Sequence, residues 1–176
     1  MGVTMVVEPQ QSNARVTPGT VVVDVAAYAV SDDVGATLVT YALGSCIAVT
    51  AYSPRTHMAG MIHVMLPFSR VSPEKAISNP AMFADTGVPL MFRTMYERGC
   101  RKEELVVKLI GGGGLHDEDG TFAIGERNVL MAHKMFWKNG ILLAAEDTGG
   151  AKSRTVRLHV GTGVVVVRTP REETTL

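Results

Sequence analysis

The sequence has few of the features that mark specialised classes of protein. Its 176 residues include only 2 cysteines, Cys46 and Cys100, and 6% aromatic residues. Two cysteines this far apart provide neither a disulfide framework nor a CxxC metal or redox pair. No run approaches the roughly 18 apolar residues of a membrane span, and no basic start followed by an apolar core marks a secretory signal. We therefore expect a cytoplasmic protein.

An excess of either charge is also missing. The 17 Lys and Arg residues balance the 17 Asp and Glu residues, and no stretch concentrates one sign. This balance argues against nucleic acid or an anionic membrane as the main partner. A protein or a small molecule is the expected partner.

The composition is that of a single globular domain, with 46% hydrophobic and 19% charged residues. Residues 1–19 are polar, contain Pro9 and Pro18 and show no sustained period. They are typical of a flexible N-terminal lead-in. We expect the folded domain to span residues 20–170, followed by a C-terminal tail at 171–176.

β-Branched runs between turn residues predict strands, and apolar residues at helical spacing predict two helices. The region Pro67–Pro80, with three prolines and three serines, predicts a long irregular loop. Together these elements predict an α/β fold, a strand-rich mixed sheet sandwich with two helices packed on one side. The predicted strands are Val21–Val30, Thr37–Leu43, Ile47–Tyr52, Met58–Leu66, Leu105–Ile110, Ile141–Ala145, Val156–Val160 and Val164–Arg168, and the helices are Met82–Arg98 and Gly125–Lys138.

Cys46 directly follows Gly44 and Ser45 at the start of a predicted strand. A glycine turn there leaves backbone N–H groups free of the sheet, and such donors stabilise an oxyanion. Most lone cysteines, however, are small buried hydrophobic residues. A partner for the thiol is needed before it indicates catalysis.

His63 supplies that partner if the strands on either side of residues 53–56 form a hairpin. With the turn centred between Pro54 and Arg55, Cys46 lies directly opposite His63, and a slip of one residue in the turn centre leaves both on the same face. A Cys–His pair is the minimum for nucleophilic catalysis by a thiolate. The alternative for His63 is a core residue between two methionines.

A third group is expected to orient the imidazole ring. Because no Asp or Glu occurs between Val34 and Val71, a hydroxyl is the local candidate. Thr40 on the preceding strand is the best placed. Thr50 and Thr56 are the alternatives.

The remaining polar motifs predict no cofactor or metal. Gly111–Gly114 lacks the ending of a phosphate-binding loop, so a tight strand-to-loop turn is expected. The cluster His116, Asp117, Glu118 and Asp119 lacks recognised metal-ligand spacing and predicts a solvated turn. Four further residues are expected to be surface, packing or structural groups: His57, His133, His159 and Cys100.

From roughly Val21 to Arg168, the chain resembles the CheD family of chemoreceptor glutamine deamidases. The resemblance rests first on Thr40-Tyr-Ala-Leu-Gly-Ser-Cys46 and on His63-Val-Met-Leu-Pro67. Agreement continues in Lys108–Gly112, Ile124–Asn128 and Asp147–Gly150 with Arg154. The longer N-terminus and Gly113, where the family pattern has a small residue such as Ala, depart from it.

The resemblance implies layers in the order α/β/β and a Cys–His–Thr site without cofactor. Cys46 would be the nucleophile, His63 the base and then the acid, and Thr40 the orienting hydroxyl. The reaction would convert receptor glutamines to glutamates with release of ammonia, and a CheC-type phosphatase would be a possible partner.

Because the substrate would be a helix, we expect an open groove beside Cys46, bordered by Pro67–Pro80 and Gly111–Gly114. Two alternatives stay open. The first is a chemotaxis adaptor that binds the receptor or such a phosphatase without catalysis. The second is a redox-sensing thiol, which the lack of a nearby resolving cysteine disfavours.

Overall fold

A computed structural model describes residues 16–17, 19–114 and 123–176. The described chain contains eleven strands and three α-helices. The strands are β1 Val16–Thr17, β2 Thr20–Val22, β3 Ala27–Ser31, β4 Thr37–Leu43, β5 Ile47–Ser53, β6 Met58–Val64, β7 Val106–Gly111, β8 Leu143–Thr148, β9 Arg154–His159, β10 Val165–Arg168 and β11 Glu173–Thr175. The helices are α1 Pro73–Ser78, α2 Ala84–Glu97 and α3 Ile124–Lys138.

The strands form two mixed sheets. One sheet has the order β1-β2-β4-β9-β10-β11, and the other has the order β3-β6-β5-β7-β8. Parallel pairing is confined to β2 with β4 and β7 with β8 among the described strands. Both sheets are therefore built mostly from antiparallel neighbours.

Two apolar clusters show how the layers stack. The first joins one face of the five-stranded sheet to α2 and α3, through residues such as Ile62, Met91 and Phe136. The second fills the space between the two sheets, with Leu38, Met61 and others. β5 and β6 are buried along their whole length. Their sequences are therefore mostly apolar, without the alternation of polar and apolar residues that a half-exposed strand shows. The predicted sandwich, with two long helices on one side, is confirmed.

The predicted strand Val21–Val30 is wrong as a single element. The chain leaves β2 and enters β3 in the other sheet, turning through Ala26 with φ 59°. Ala26 N–H donates to the His63 carbonyl at 2.9 Å. One apolar run therefore serves both sheets, because its two halves find different partners.

The prediction of an irregular Pro67–Pro80 segment is also wrong in part, because α1 lies within it. Proline is tolerated in the first turn of a helix, since the N–H that it lacks has no partner there. Pro73 therefore begins a helix here rather than preventing one.

Near the C-terminus the predicted strands exist with shifted ends. β8 begins at Leu143 and extends to Thr148 instead of covering Ile141–Ala145, because it pairs with β7 as far as Gly111. β11, inside the expected tail, pairs with β10. At the other end, β1 lies inside the expected lead-in and pairs with β2.

In the part of the chain that the structure describes, no helix is both long and apolar enough to cross a membrane.

Candidate active site

Thr40 and His63 meet between the two sheets. Thr40 lies on β4 and His63 on β6, and the Thr40 Oγ1 and His63 Nδ1 atoms are 2.7 Å apart. Their exposed fractions are 0% and 1%. When Nδ1 carries the ring proton it donates to the hydroxyl, and Nε2 is then the acceptor. The hydrogen bond therefore fixes the ring across the gap between the sheets.

A bulge follows Thr40 directly. The pairing of β4 with β9 shifts register between Thr40 and Leu43, and Ala42 has φ 56°. Bulges end regular pairing and redirect the strand, often next to active sites. The chain here leaves β4 and turns through Gly44 and Ser45 to Cys46.

Cys46 lies on the same face of the sheet as His63. The hairpin pairs Ala48 with His63 and Ser53 with Met58, so the turn is centred between Arg55 and Thr56. The predicted direct pairing of Cys46 with His63 is wrong by this one-residue shift of the turn centre. Cys46 precedes Ala48 by two positions and so extends the same face. It is half-buried and packs against the cluster between the sheets.

Burial leaves both reactive groups uncharged at neutral pH. It raises the pKa of the Cys46 thiol, an effect that a hydrogen bond from the residue's own backbone N–H partly offsets. It lowers the pKa of His63 to about 4. His63 Nε2 is buried without a hydrogen-bond partner among the described residues. A neutral imidazole with a free ring nitrogen can accept a proton from a thiol.

The glycines after β7 hold the Cys46 turn in place. Gly112 N–H donates to the Cys46 carbonyl at 2.8 Å, and Gly113 N–H donates to the Gly44 carbonyl at 2.7 Å. Gly111 has φ 110°, and a Cβ there would lie 2.4 Å from the Cys46 oxygen. The expected strand-to-loop turn is confirmed, and its contacts require glycine.

The alternative hydroxyls do not contact His63. The Thr50 Oγ1 atom is buried without a partner among the described residues. The Thr56 Oγ1 atom lies 3.5 Å from Cys100 Sγ. Of the three candidate threonines, Thr40 is the one that bonds the ring.

The other histidines contact groups outside this arrangement. A ring nitrogen of His57 lies within hydrogen-bond distance of the Tyr52 hydroxyl. The corresponding partners are Glu146 for His133 and Thr37 for His159. Cys100 is buried beside Thr56 and Met58. No group of three His, Cys, Asp or Glu side chains suited to a metal occurs in the described ranges. His116, Asp117, Glu118 and Asp119 lie outside them.

Two supporting residues have contacts that the sequence did not predict. Asn128 on α3 is fully buried and donates from Nδ2 to the Ser45 and Met65 carbonyls, each at 3.0 Å. Arg154 is also fully buried and pairs with Asp147 at 2.9 Å, which lowers the pKa of that carboxyl. Both belong to segments of the family resemblance, but nothing in the spacing showed what they touch.

Comparison with known proteins connects this arrangement to a family. The family model for CheD, chemotactic sensory transduction, matches residues 65–169. "Probable chemoreceptor glutamine deamidase CheD 1" of Syntrophus aciditrophicus is 49% identical over 150 residues, covering 85% of this chain and 94% of the relative. "Probable chemoreceptor glutamine deamidase CheD 2" of Anaeromyxobacter dehalogenans is 47% identical over 148 residues, covering 84% and 93%. A CheD protein of Syntrophotalea carbinolica is 49% identical over 145 residues, covering 81% and 90%.

Proposed function

Because this chain belongs to the CheD family, we propose that it is a protein-glutamine deamidase of chemotaxis receptors, with Cys46 as nucleophile. The observation that carries the proposal is the state of His63. Its Nδ1 is fixed by Thr40, and its Nε2 is free and buried on the sheet face that Cys46 extends. A thiol nucleophile needs a base with an available ring nitrogen, and the Cys46 sulfur has to come within hydrogen-bond reach of Nε2 when it reacts.

The first half of the proposed reaction replaces ammonia with the enzyme thiol. His63 Nε2 takes the Cys46 proton, and the thiolate attacks the carbonyl carbon of the glutamine side chain. The tetrahedral intermediate carries its negative charge on oxygen, where backbone N–H groups of the Gly44–Ser45–Cys46 turn are the candidate donors. His63 then returns the proton to the departing nitrogen, ammonia leaves, and a thioester remains on Cys46.

The second half hydrolyses the thioester. His63, again neutral, takes a proton from water, and the resulting hydroxide attacks the thioester carbonyl. Collapse of the intermediate breaks the carbon–sulfur bond, and the proton returns from His63 to the sulfur. The products are a glutamate side chain and the original thiol. Thr40 holds the ring in one orientation through both halves.

The substrate surface is proposed to extend beyond this site. Exposed apolar side chains occur on segments adjacent in the chain to the triad: Tyr41 beside Thr40, exposed by 51%, and Val71 and Ile77 after the His63 strand, exposed by 58% and 86%. A receptor helix offers a matching apolar surface, whereas free glutamine does not. We place the reaction in the cytoplasm, where these receptor segments lie, and propose that a CheC-type phosphatase competes for the same face.

An ammonia-release assay with a receptor cytoplasmic fragment tests this function. The wild-type protein is expected to release ammonia, Cys46→Ala is expected to release none, and Cys100→Ala, the matched control at the second cysteine, is expected to retain normal turnover. Full activity of Cys46→Ala would show that Cys46 is not the nucleophile. Binding of the fragment by wild type without ammonia release would indicate the adaptor instead.

A further inference from the structure

Asn128 contacts both segments that carry the proposed reacting groups. Its Nδ2 donates to the carbonyl of Ser45, which precedes Cys46, and to the carbonyl of Met65, two residues after His63. The side chain is fully buried, and its position on α3 is fixed by the helix. One amide nitrogen therefore links the nucleophile turn to the end of the histidine strand.

The bond to Ser45 also sets the direction of the Cys46 N–H. The peptide between Ser45 and Cys46 is trans, because the described chain has no cis bonds, and a trans peptide points its C=O and N–H in opposite directions. Holding the Ser45 oxygen toward Asn128 therefore aims the Cys46 N–H away from α3. No backbone carbonyl among the described residues accepts from it.

A hydrogen bond from the Cys46 N–H lowers the pKa of its own thiol and so partly offsets the effect of burial. During attack, the carbonyl carbon of the substrate bonds to that sulfur. Its oxygen then lies within reach of a donor on the sulfur side. The orientation that Asn128 imposes is thus the one that stabilises an oxyanion.

The energetics of Asn128 also favour a role beyond packing. Its Oδ1 is buried without a partner among the described residues. A buried acceptor left unpaired carries a desolvation cost, and this offsets much of what two net hydrogen bonds contribute. The gain from an amide at this position is therefore mainly geometric.

We propose that Asn128 is a positioning residue that orients the Ser45–Cys46 peptide so that the Cys46 N–H serves as an oxyanion donor. This inference rests on the proposed deamidase function. Asn128 does not touch the substrate and acts through the Ser45 carbonyl alone.

Kinetics on the receptor fragment test the proposal with two replacements. Asn128→Leu keeps most of the side-chain volume, whereas Asn128→Ala leaves a cavity. If the two variants have the same kinetic effect, that effect comes from the lost hydrogen-bond donors and not from the cavity. Both are expected to lower kcat by about a hundredfold, the effect of losing one oxyanion donor, with KM near the wild-type value. Asn139→Ala is the matched control, because it removes an asparagine-to-carbonyl bond at the end of the same helix. It should leave kcat unchanged.

Alkylation of Cys46 by iodoacetamide supplies a readout that does not depend on the substrate. Displacement of iodide forms no oxyanion, so the limiting rate at high pH should be normal in Asn128→Leu. The pH midpoint of alkylation should rise, because the thiolate loses its N–H donor.

The two measurements distinguish the possible failures. Unchanged kcat, a loss confined to KM, or an unshifted alkylation midpoint would overturn the role of Asn128. A limiting alkylation rate that falls in parallel with kcat would show a general collapse of the site and would overturn it too. If the wild type releases no ammonia, the proposed function fails, while the alkylation midpoint still decides whether Asn128 orients the Cys46 peptide.

Discussion

Burial favours the uncharged forms of Cys46 and His63, the two side chains proposed to react. Burial lowers the pKa of His63, so the imidazole stays neutral at pH values well below its usual pKa. Burial raises the pKa of Cys46, so the thiol stays protonated at pH values above its usual pKa. These shifts favour a neutral thiol and a neutral imidazole over an ion pair. In the proposed reaction, proton transfer from the thiol is therefore part of the attack on the amide, and it leaves His63 charged when the leaving nitrogen needs a proton.

The low pKa of His63 predicts a loss of stability in mild acid. The unfolded chain binds a proton at this residue below pH 6.5, whereas the folded protein binds it only near pH 4. The free energy of unfolding contributed by this neutral histidine is therefore complete above pH 6.5 and declines as the pH falls toward 4. By pH 5 the loss is about 2 kcal/mol.

Urea denaturation of wild type and His63→Gln at pH 7 and pH 5 measures this loss. Subtracting the pH dependence of the variant removes the contributions of the other histidines. A wild type that loses no more stability than His63→Gln on acidification would show that His63 titrates normally in the folded protein.

The Thr40 hydroxyl is expected to matter less than either member of the Cys–His pair. It orients the ring by one hydrogen bond and carries no charge. A net hydrogen bond contributes about 1 kcal/mol, so Thr40→Ala should lower kcat on the receptor fragment by roughly fivefold. Thr40→Ser, which keeps the hydroxyl, should remain closer to wild type.

Thr50→Ala is the matched control, because its buried hydroxyl contacts no described partner. It should leave kcat unaltered. Loss of activity in Thr50→Ala together with a fully active Thr40→Ala would move the orienting role to Thr50.

At the level of secondary structure, the hairpin shows what the sequence can and cannot predict. The two strands and the shared face of Cys46 and His63 follow from the apolar runs and from the two-residue period of a strand. The turn centre does not, because Ser53 is buried and bonds to Glu104, which keeps it in the strand instead of the turn. Such a contact between distant segments is invisible to local spacing.

The turn after β7 predicts a strong effect of a small substitution. Gly111→Ala would place a Cβ 2.4 Å from the Cys46 carbonyl oxygen, at φ 110°. The backbone of the Cys46 turn has to shift, so kcat should fall much more than stability alone accounts for. Gly99→Ala is the control, because Gly99 has φ 96° with nothing within 4 Å. The Gly99→Ala variant therefore introduces backbone strain without a close contact to other atoms.

Circular dichroism melts and ammonia release on the two glycine variants check this expectation. We expect Gly111→Ala to melt at a lower temperature than Gly99→Ala, because its Cβ meets backbone atoms, and to lose activity even at temperatures where both proteins are folded. Equal activities would mean that the position of the Cys46 carbonyl is not critical.

For the whole molecule, the order of the layers is easier to predict from the sequence than the pairing of strands at the edges of the sheets. The two long helices and the central strands are marked by strong apolar patterns, and the structure confirms them. The division of Val21–Val30 between two sheets depends on partners elsewhere in the chain, β4 for β2 and β6 for β3. The strand β11 pairs with the adjacent β10, but its three exposed residues form no apolar run. The Asn128 side chain likewise bonds to carbonyls that lie 83 and 63 residues away in the chain. The face shared by Cys46 and His63 was predictable because Cys46 directly precedes β5, the hairpin partner of β6.

A receptor fragment that carries a chloromethyl ketone in place of one glutamine carboxamide tests the central claim most directly. A thiolate positioned at the glutamine carbonyl attacks the adjacent chloromethyl carbon, displaces chloride and forms a stable carbon–sulfur bond, which peptide mass mapping locates. We predict a single adduct on Cys46, undiminished in Cys100→Ala and slowed in His63→Ala. An adduct on Cys100, or a fragment that binds but never labels Cys46, would contradict the account.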